Sequence, residues 1–404
     1  MNKVLIVAHG HPELNKGGGE QAAYNLFQEC LAQGDDAYFL ARTDAIPHGG
    51  AAFSCLGSER EILFHTTHDD EFLFSNIKTR HLWRDFSDLI KKINPDVIHF
   101  HHYFLLGIEM FQVVKQLMPE TKITLTLHEY YGICANSGLM LKAKTDKLCY
   151  KSGTLACSQC LPTKSPGDLF LRKEYIMQQF DLIDQFISPS QFLKQRYVDW
   201  GLSAEKIAVL ENGQPEVASL PLKTQGTKVR LTYIGQINRF KGLDVLLDAL
   251  LLLDRNERAD FQLDIHGANF SAQTSDFQKS IATKLKRLGS TVCMHGSYEP
   301  HELASILEDT DWVIVPSVWW ENSPMVIQES LNYGRPLIVS DIGGMAEKVK
   351  HMHNGLQFRA GKASSLMQTL KLIVSEPELR DRCASNIEKP LTIKQAYSQI
   401  KSLI

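Results

Sequence analysis

The chain has 404 residues, 44% hydrophobic and 22% charged, with a formal net charge of −3. That length exceeds what one hydrophobic core ordinarily fills, so two domains are expected, and the balanced composition argues against a disordered or fibrous chain. The charge gives no global basic field for nucleic acid, and no apolar run approaches the roughly 18 residues that span a bilayer.

The opening MNKVLIVAHG has an apolar run too short for a signal peptide and reads as a first buried strand, Val4–Ala8. Further strands are expected at Ala37–Leu40, Val97–His101, Ile123–Leu127, Phe186–Ser188 and Ala208–Leu210. Helical patterns at Gln21–Leu31, Trp83–Ile93 and Gln191–Trp200 lie between several of them. A pause at 212–228, with Gly213, Pro215, Pro221 and Gly226, reads as a linker. A second series follows, with strands at Val229–Ile234, Phe261–Ile265, Thr291–Met294, Trp312–Val315 and Leu337–Val339. Its helices are Leu243–Leu253, Phe277–Leu288, His301–Leu307, Val326–Tyr333 and Ala363–Ile373, and 390–404 holds a weaker helical pattern. β-branched runs alternating with helices predict an α/β fold of two doubly wound, Rossmann-like parallel sheets facing a central cleft. Ligands bind at the carboxyl ends of such strands.

The most informative segment, Pro316–Pro336, reads PSVWWENSPMVIQESLNYGRP and follows the strand Trp312–Val315. Ser323 suits an N-cap and Pro324 a first helical position, so a helix Met325–Tyr333 would turn the amides of Met325 and Val326, beside Asn322, toward a diphosphate. Glu321 precedes that helix and would face a sugar. Glu329 lies over a turn deeper and would accept hydrogen bonds from vicinal hydroxyls. A solvated helix with an acidic residue at each end explains the two glutamates alone but not the whole strand–loop–helix arrangement.

At these residues the chain resembles glycosyltransferase family 4, retaining enzymes of the GT-B fold, whose E-x7-E motif matches Glu321 and Glu329. YIGQINRFKG (Tyr233–Gly242) resembles the family's strand and loop that present cations to the donor diphosphate. Gly235 is its first glycine and Lys241 falls on the family lysine. Gln236 stands where the family commonly has arginine, and Arg239 is close enough in sequence to replace that charge. Ser340–Glu347 (SDIGGMAE) is a further matching segment. Gly17, Gly18 and Gly19 resemble a loop that touches the donor from the other domain. His128, in TLHEYYGIC, is implied to help bind the donor sugar, with Glu129 in place of the family's aspartate. The resemblance implies transfer of a sugar from a nucleoside-diphosphate sugar to a glycan or lipid-linked acceptor, without a catalytic metal, at the cytoplasmic side of a membrane. It assigns 1–213 to the acceptor, 214–228 to a linker and 229–389 to the donor, with 390–404 packing back on the first domain. Two rivals stay open. Gly17, Gly19 and Ala22 also fit a dinucleotide fingerprint, which would make the chain an NAD-dependent oxidoreductase, although the fingerprint starts nine residues after Ala8. A catalytically silent glycan-binding scaffold is the other.

Three features stand apart. Cys134, Cys149, Cys157 and Cys160 cluster in a polar stretch, and the C-x-x-C at the end is half of a zinc site. Structural zinc, free thiols and a disulfide are the alternatives. Cys30, Cys55, Cys293 and Cys383 are scattered and read as buried thiols. LFLRKEYIMQQFDLIDQFI (Leu169–Ile187), with Arg172 and Lys173, reads either as a peripheral membrane contact or as a packed helix entering a strand. His99 and His101 alternate onto one strand face beside His102, and packing is the simpler reading for at least two of the three.

Overall fold

The computed structural model describes residues 3–15, 17–45, 50–67, 70–76, 80–224 and 226–404. The chain divides into two units, Met1–Gly213 with Leu391–Ile404, and Gln214–Pro390.

The first unit runs β1 (Lys3–Ala8), α1 (Gly18–Ala32), β2 (Asp36–Thr43), β3 (Phe53–Leu56), β4 (Ser58–His65), α2 (Arg80–Ile93), β5 (Val97–Phe100), α3 (Met110–Leu117), β6 (Lys122–Thr126), α4 (Thr154–Cys160), α5 (Pro166–Phe180), β7 (Gln185–Ser188), α6 (Gln191–Trp200) and β8 (Ile207–Val209). Its sheet order is β3-β4-β2-β1-β5-β6-β7-β8, parallel except where β3 turns back on β4. Leu5 to Ala8 are fully buried, as expected of a strand covered by helices on both faces. The β3–β4 hairpin is absent from the strands expected from sequence. Charged residues break its apolar run, and Gly57 makes the turn at φ 75°.

The second unit runs β9 (Val229–Ile234), α7 (Leu243–Leu252), α8 (Arg255–Ala259), β10 (Phe261–His266), α9 (Ser275–Leu288), β11 (Val292–Gly296), α10 (Leu303–Glu308), β12 (Trp312–Val315), α11 (Met325–Asn332), β13 (Leu337–Ser340), α12 (Gly343–Lys348), β14 (Gly355–Phe358), α13 (Ala363–Ser375) and α14 (Glu378–Ser385). Its six strands pair in parallel in the order β11-β10-β9-β12-β13-β14, the doubly wound arrangement of dinucleotide-binding sheets. The last helix, α15 (Ile393–Leu403), belongs to the first unit, where Tyr397 and Lys401 both bond Asp35 beyond α1. Strand order reverses between β1 and β5 in one sheet and between β9 and β12 in the other. Loops leaving those strand ends diverge and open a crevice, which is where ligands bind in such folds.

Two buried arginines hold the loops. Arg335, of the Gly-Arg-Pro segment, is inaccessible to solvent and donates to the carbonyls of Leu307, Leu220 and Pro221 at 2.6, 2.9 and 3.0 Å. The Leu307 carbonyl, at the end of α10, also accepts from the Thr310 amide at 3.1 Å, so the arginine adds a second donor to it. Arg172 lies on the part of 169–187 that packs as a helix, α5, ahead of strand β7. Its guanidinium is buried, donating to the carbonyls of Phe72, Gly132 and Tyr131 at 2.8, 2.7 and 2.5 Å, while Ile176 and Phe180 of the same helix enter the core. Phe170 and Leu171 alone of its large apolar side chains are exposed. Among the described residues no helix is long and apolar enough to cross a membrane.

Candidate functional site

Two loops leave the crevice of the second unit. Residues 235–242 follow β9, and residues 316–324 follow β12. The Val318 amide donates to the Phe240 carbonyl at 2.9 Å and draws the loops together. Gly242 sits at φ 70°, and a Cβ there would overlap the Pro316 carbonyl, so glycine is required both by conformation and by contact. Lys241 Nζ donates to Glu321 Oε1 at 2.7 Å. The same carboxylate oxygen accepts from Ser317 Oγ at 2.8 Å and Trp319 Nε1 at 3.0 Å. Burial opposes ionisation of Glu321, but Lys241 and these hydrogen bonds outweigh it and hold the carboxyl below the usual range. Arg239 is exposed, its guanidinium 4.6 Å above the Phe240 ring, which packs in turn on Trp319. Gln236 is also exposed, and Gly235 adopts φ 145°.

The start of α11 differs from expectation by one position. Pro324, rather than Ser323, occupies the cap with ψ 125°, and the helix begins at Met325 and ends at Asn332. Ser323 Oγ accepts from Gln328 Nε2 at 2.9 Å, and Gln328 Oε1 accepts from Gln214 Nε2 at 2.7 Å. Proline fixes the backbone as a cap requires, so the serine side chain is released for this inward network. The first amides of α11, from Met325 and Val326, remain the positive end of its dipole. The Asn322 segment is braced from behind by α12. Gly344 N donates to the Glu321 carbonyl at 2.7 Å, and a Cβ on Gly344 would overlap the Asn322 carbonyl. Glu329 lies on α11, and burial pushes its carboxyl up to about 7. Its carboxylate has no hydrogen bond or salt bridge among the described residues.

The first unit gathers histidines at its own crevice. His9, just past β1, contacts Glu20 of α1 at 3.1 Å, and its ring lies 4.5 Å from that of His102. His102 faces Glu129 at 4.0 Å. His101 Nδ1 and His128 Nε2 share a hydrogen bond of 3.0 Å, and His99 bonds Thr126 Oγ1 at 2.7 Å. Gly17 caps α1, Gly18 is its first residue, and a Cβ on Gly19 would stand 3.6 Å from the His128 ring. Burial lowers His99 to about 3 and His128 to about 4, and takes His101 well below its ordinary value. These imidazoles are therefore neutral donors and acceptors at pH 7. A cavity beside them is lined by His101, His128, Glu129, Tyr131 and Tyr197. Sequence reasoning does not single out His9, Glu20, Ser317 or Trp319. His9 is the first residue past a buried strand, and that position is the one signal that could flag it.

Cys134, Cys149, Cys157 and Cys160 are free thiols on the segment between β6 and α5. Cys55 and Cys293 are exposed, against the expectation of burial, because each lies on an edge strand; Cys30 and Cys383 are buried. Among the described residues, the one trio of potential ligand atoms lying within 4.8 Å of one another is Asp264, Cys293 and His295. There His295 bonds Asp264 at 2.8 Å on the outer two strands of the second sheet.

Comparison with known proteins agrees with this geometry. Residues 220–390 match the family described as Glycosyl transferases group 1, and residues 16–214 match Glycosyltransferase Family 4. A lipopolysaccharide 1,2-N-acetylglucosaminetransferase of Salmonella typhimurium is 29% identical over 41% of this chain and 46% of its own length. A D-inositol 3-phosphate glycosyltransferase of Arthrobacter is 29% identical over 38% of this chain and 36% of its own. The chain thus spans less than half the length of these curated relatives. Among solved structures, sucrose-phosphate synthase from Thermosynechococcus elongatus aligns with TM-score 0.72 at 16% identity, covering 99% of this chain and 98% of that one. Anabaena HepE in complex with UDP aligns with TM-score 0.68 at 16% identity, covering 99% and 98%. The architecture is GT-B.

Proposed function

The chain belongs to the group 1 glycosyltransferases, and from that premise we propose that it transfers a sugar from a nucleoside-diphosphate sugar to an acceptor hydroxyl with retention of configuration. The observation that carries this reading is the Lys241–Glu321 pair beside the start of α11. An ammonium has three donors, and Glu321 occupies one, so two remain for a departing diphosphate. The amides of Met325 and Val326 add the dipole of α11, and Arg239 adds a charge at the rim. Stabilising the charge that develops on the leaving group is the main demand of the reaction, and fixed cations meet it without a metal. Glu329 accepts the ribose hydroxyls. Glu321 positions the sugar. As the family resemblance suggests, the departing phosphate itself assists removal of the acceptor proton, without a covalent nucleophile. UDP-sugars are the first donors to try, because a structural neighbour was solved with UDP-glucose. The acceptor is a glycan or lipid-linked glycan, by analogy with the lipopolysaccharide enzyme.

Thermal stability against UDP-, GDP- and ADP-sugars, with NAD as control, tests the reading in wild type and Glu329→Ala. A stabilisation by one sugar nucleotide that the variant loses is expected. A response to NAD alone, or to none of them, overturns it. Proton NMR of the first product then decides the anomeric configuration.

A further inference from the structure

The segment between β6 and α5 poses a folding problem. From Lys142 to Ser165 no residue is buried, and α4 within it buries no side chain. A seven-residue helix is not stable in water unaided, and here none of its side chains is buried. The only other regular feature is the bridge between Leu141 and Leu148. Yet this segment holds half of the chain's eight cysteines, all as free thiols, and Cys134 and Cys149 interact electrostatically with each other and both with Cys157. Cys149 N donates to the Met140 carbonyl at 2.8 Å, and the Met140 backbone also bonds the Cys134 sulfur. Ala143 of the same hairpin donates its amide to Cys160 Sγ at 3.2 Å, joining the hairpin to the end of α4. Gly153 N donates to Cys157 Sγ at 3.4 Å. Cys134 Sγ and Cys149 Sγ lie 3.9 and 3.5 Å from the carbonyl oxygens of Asn136 and Lys151, to which these thiols donate. Each of the four sulfurs therefore lies against the backbone, and at Cys157 and Cys160 an amide donates to the sulfur, as it would to a thiolate.

We propose that Cys134, Cys149, Cys157 and Cys160 bind one structural zinc ion. Four thiolates and no open position make a closed tetrahedral site, which suits zinc and leaves no room for catalysis at the metal. Four thiolates around Zn²⁺ carry a net charge of −2, and Lys142, Lys144, Lys147, Lys151 and Lys164 flank them in sequence against the single Asp146. Zinc–sulfur bonds of about 2.3 Å put the sulfurs nearly 4 Å apart. No three of these sulfurs lie within 4.8 Å of one another, so zinc draws the segment inward. The segment carries His128 and Glu129 of the histidine cavity's lining, and Arg172 clamps its Tyr131 and Gly132 carbonyls. Loading therefore steadies one wall of the histidine cavity.

The test uses the full chain, purified without a metal-affinity tag. Elemental analysis is expected to give one zinc per chain. Replacement with cobalt should give thiolate charge-transfer absorbance and tetrahedral d–d bands. Both should vanish in Cys157→Ser/Cys160→Ser and persist in Cys293→Ser, which separates this site from the Asp264–Cys293–His295 trio. Should the double variant not fold, the wild type suffices: chelation must expose four additional thiols to a thiol reagent and speed tryptic cleavage between Lys142 and Lys164 at least tenfold. Absence of bound zinc and of cobalt uptake, a disulfide among these cysteines, an iron–sulfur spectrum, or retention of zinc by the double variant would overturn the proposal. None of these readouts depends on sugar transfer, so failure here leaves the proposed activity standing.

Discussion

Lys241 Nζ and Glu321 Oε1, 2.7 Å apart, join the loops after β9 and β12, two strands adjacent in the sheet, although the two residues are 80 positions apart in sequence. The partners are unequally buried: 29% of the lysine side chain is exposed and only 8% of the glutamate. Removing either one therefore has different consequences. Lys241→Met leaves a buried carboxylate with only the Ser317 and Trp319 hydrogen bonds. Breaking such a pair from the exposed side should cost about 1–3 kcal/mol of stability and shift Glu321 upward in pKa. Glu321→Gln keeps hydrogen-bonding capacity and should change stability by less than about 1 kcal/mol. Both variants should lower kcat by a factor of about 10² or more, the scale on which a charge-stabilising contact acts. Denaturant unfolding alongside steady-state rates checks this. Near-wild-type turnover in Glu321→Gln would remove the glutamate from the site.

Much of this arrangement is legible in the sequence, for physical reasons. Buried parallel strands are continuous apolar runs, so Trp312–Val315 and Val229–Ile234 can be read to the residue, and the loops behind them locate Lys241, Glu321 and Glu329. The β3–β4 hairpin cannot, since an edge strand need not be apolar on both faces. Ser323 looks like a cap because proline and serine compete for one position, and local preference does not reveal that Gln328 claims the serine hydroxyl. Arg172 looks like surface charge because nothing local shows that three carbonyls from elsewhere in the chain converge on it. The His9–Glu20 contact joins two elements through tertiary packing and has no counterpart in sequence spacing.

Gly344 and Gly242 should tolerate no side chain. An added methyl on either would overlap a carbonyl oxygen, of Asn322 and Pro316 respectively, and backbone rather than a flexible side chain would have to move. Gly344→Ala should destabilise the protein by about 2 kcal/mol or more and displace the segment leading into α11. Gly226→Ala is the reference, since nothing stands within 4 Å of its Cβ. It isolates what a glycine-to-alanine change does through the unfolded chain alone. Melting temperature and nucleotide affinity, measured in both variants, separate that effect from the contact. Lower stability and weaker donor binding are expected in Gly344→Ala only, and equal changes in both would argue against the bracing role of α12.

Glu329 gives the pH dependence its sign. Burial raises its carboxyl from 4.5 to about 7, so the folded chain holds this proton more tightly than the unfolded chain does. Its contribution to stability is complete below pH 4.5 and is lost as pH rises toward 7. At about 1.4 kcal/mol per unit, discounted for partial exposure, that loss is about 1–3 kcal/mol. Hydroxyls donating to the carboxylate favour the charged form and should return much of it. Nucleotide binding should therefore release a proton between about pH 5 and 7, and affinity should rise with pH through that interval and level off above it. In Glu329→Gln the proton release and the slope should both disappear, with affinity at about pH 8 reduced roughly tenfold or more. Calorimetry in buffers of different ionisation enthalpy measures the released proton directly. An unchanged release in the variant would assign the titration to another group and leave Glu329 without the ribose.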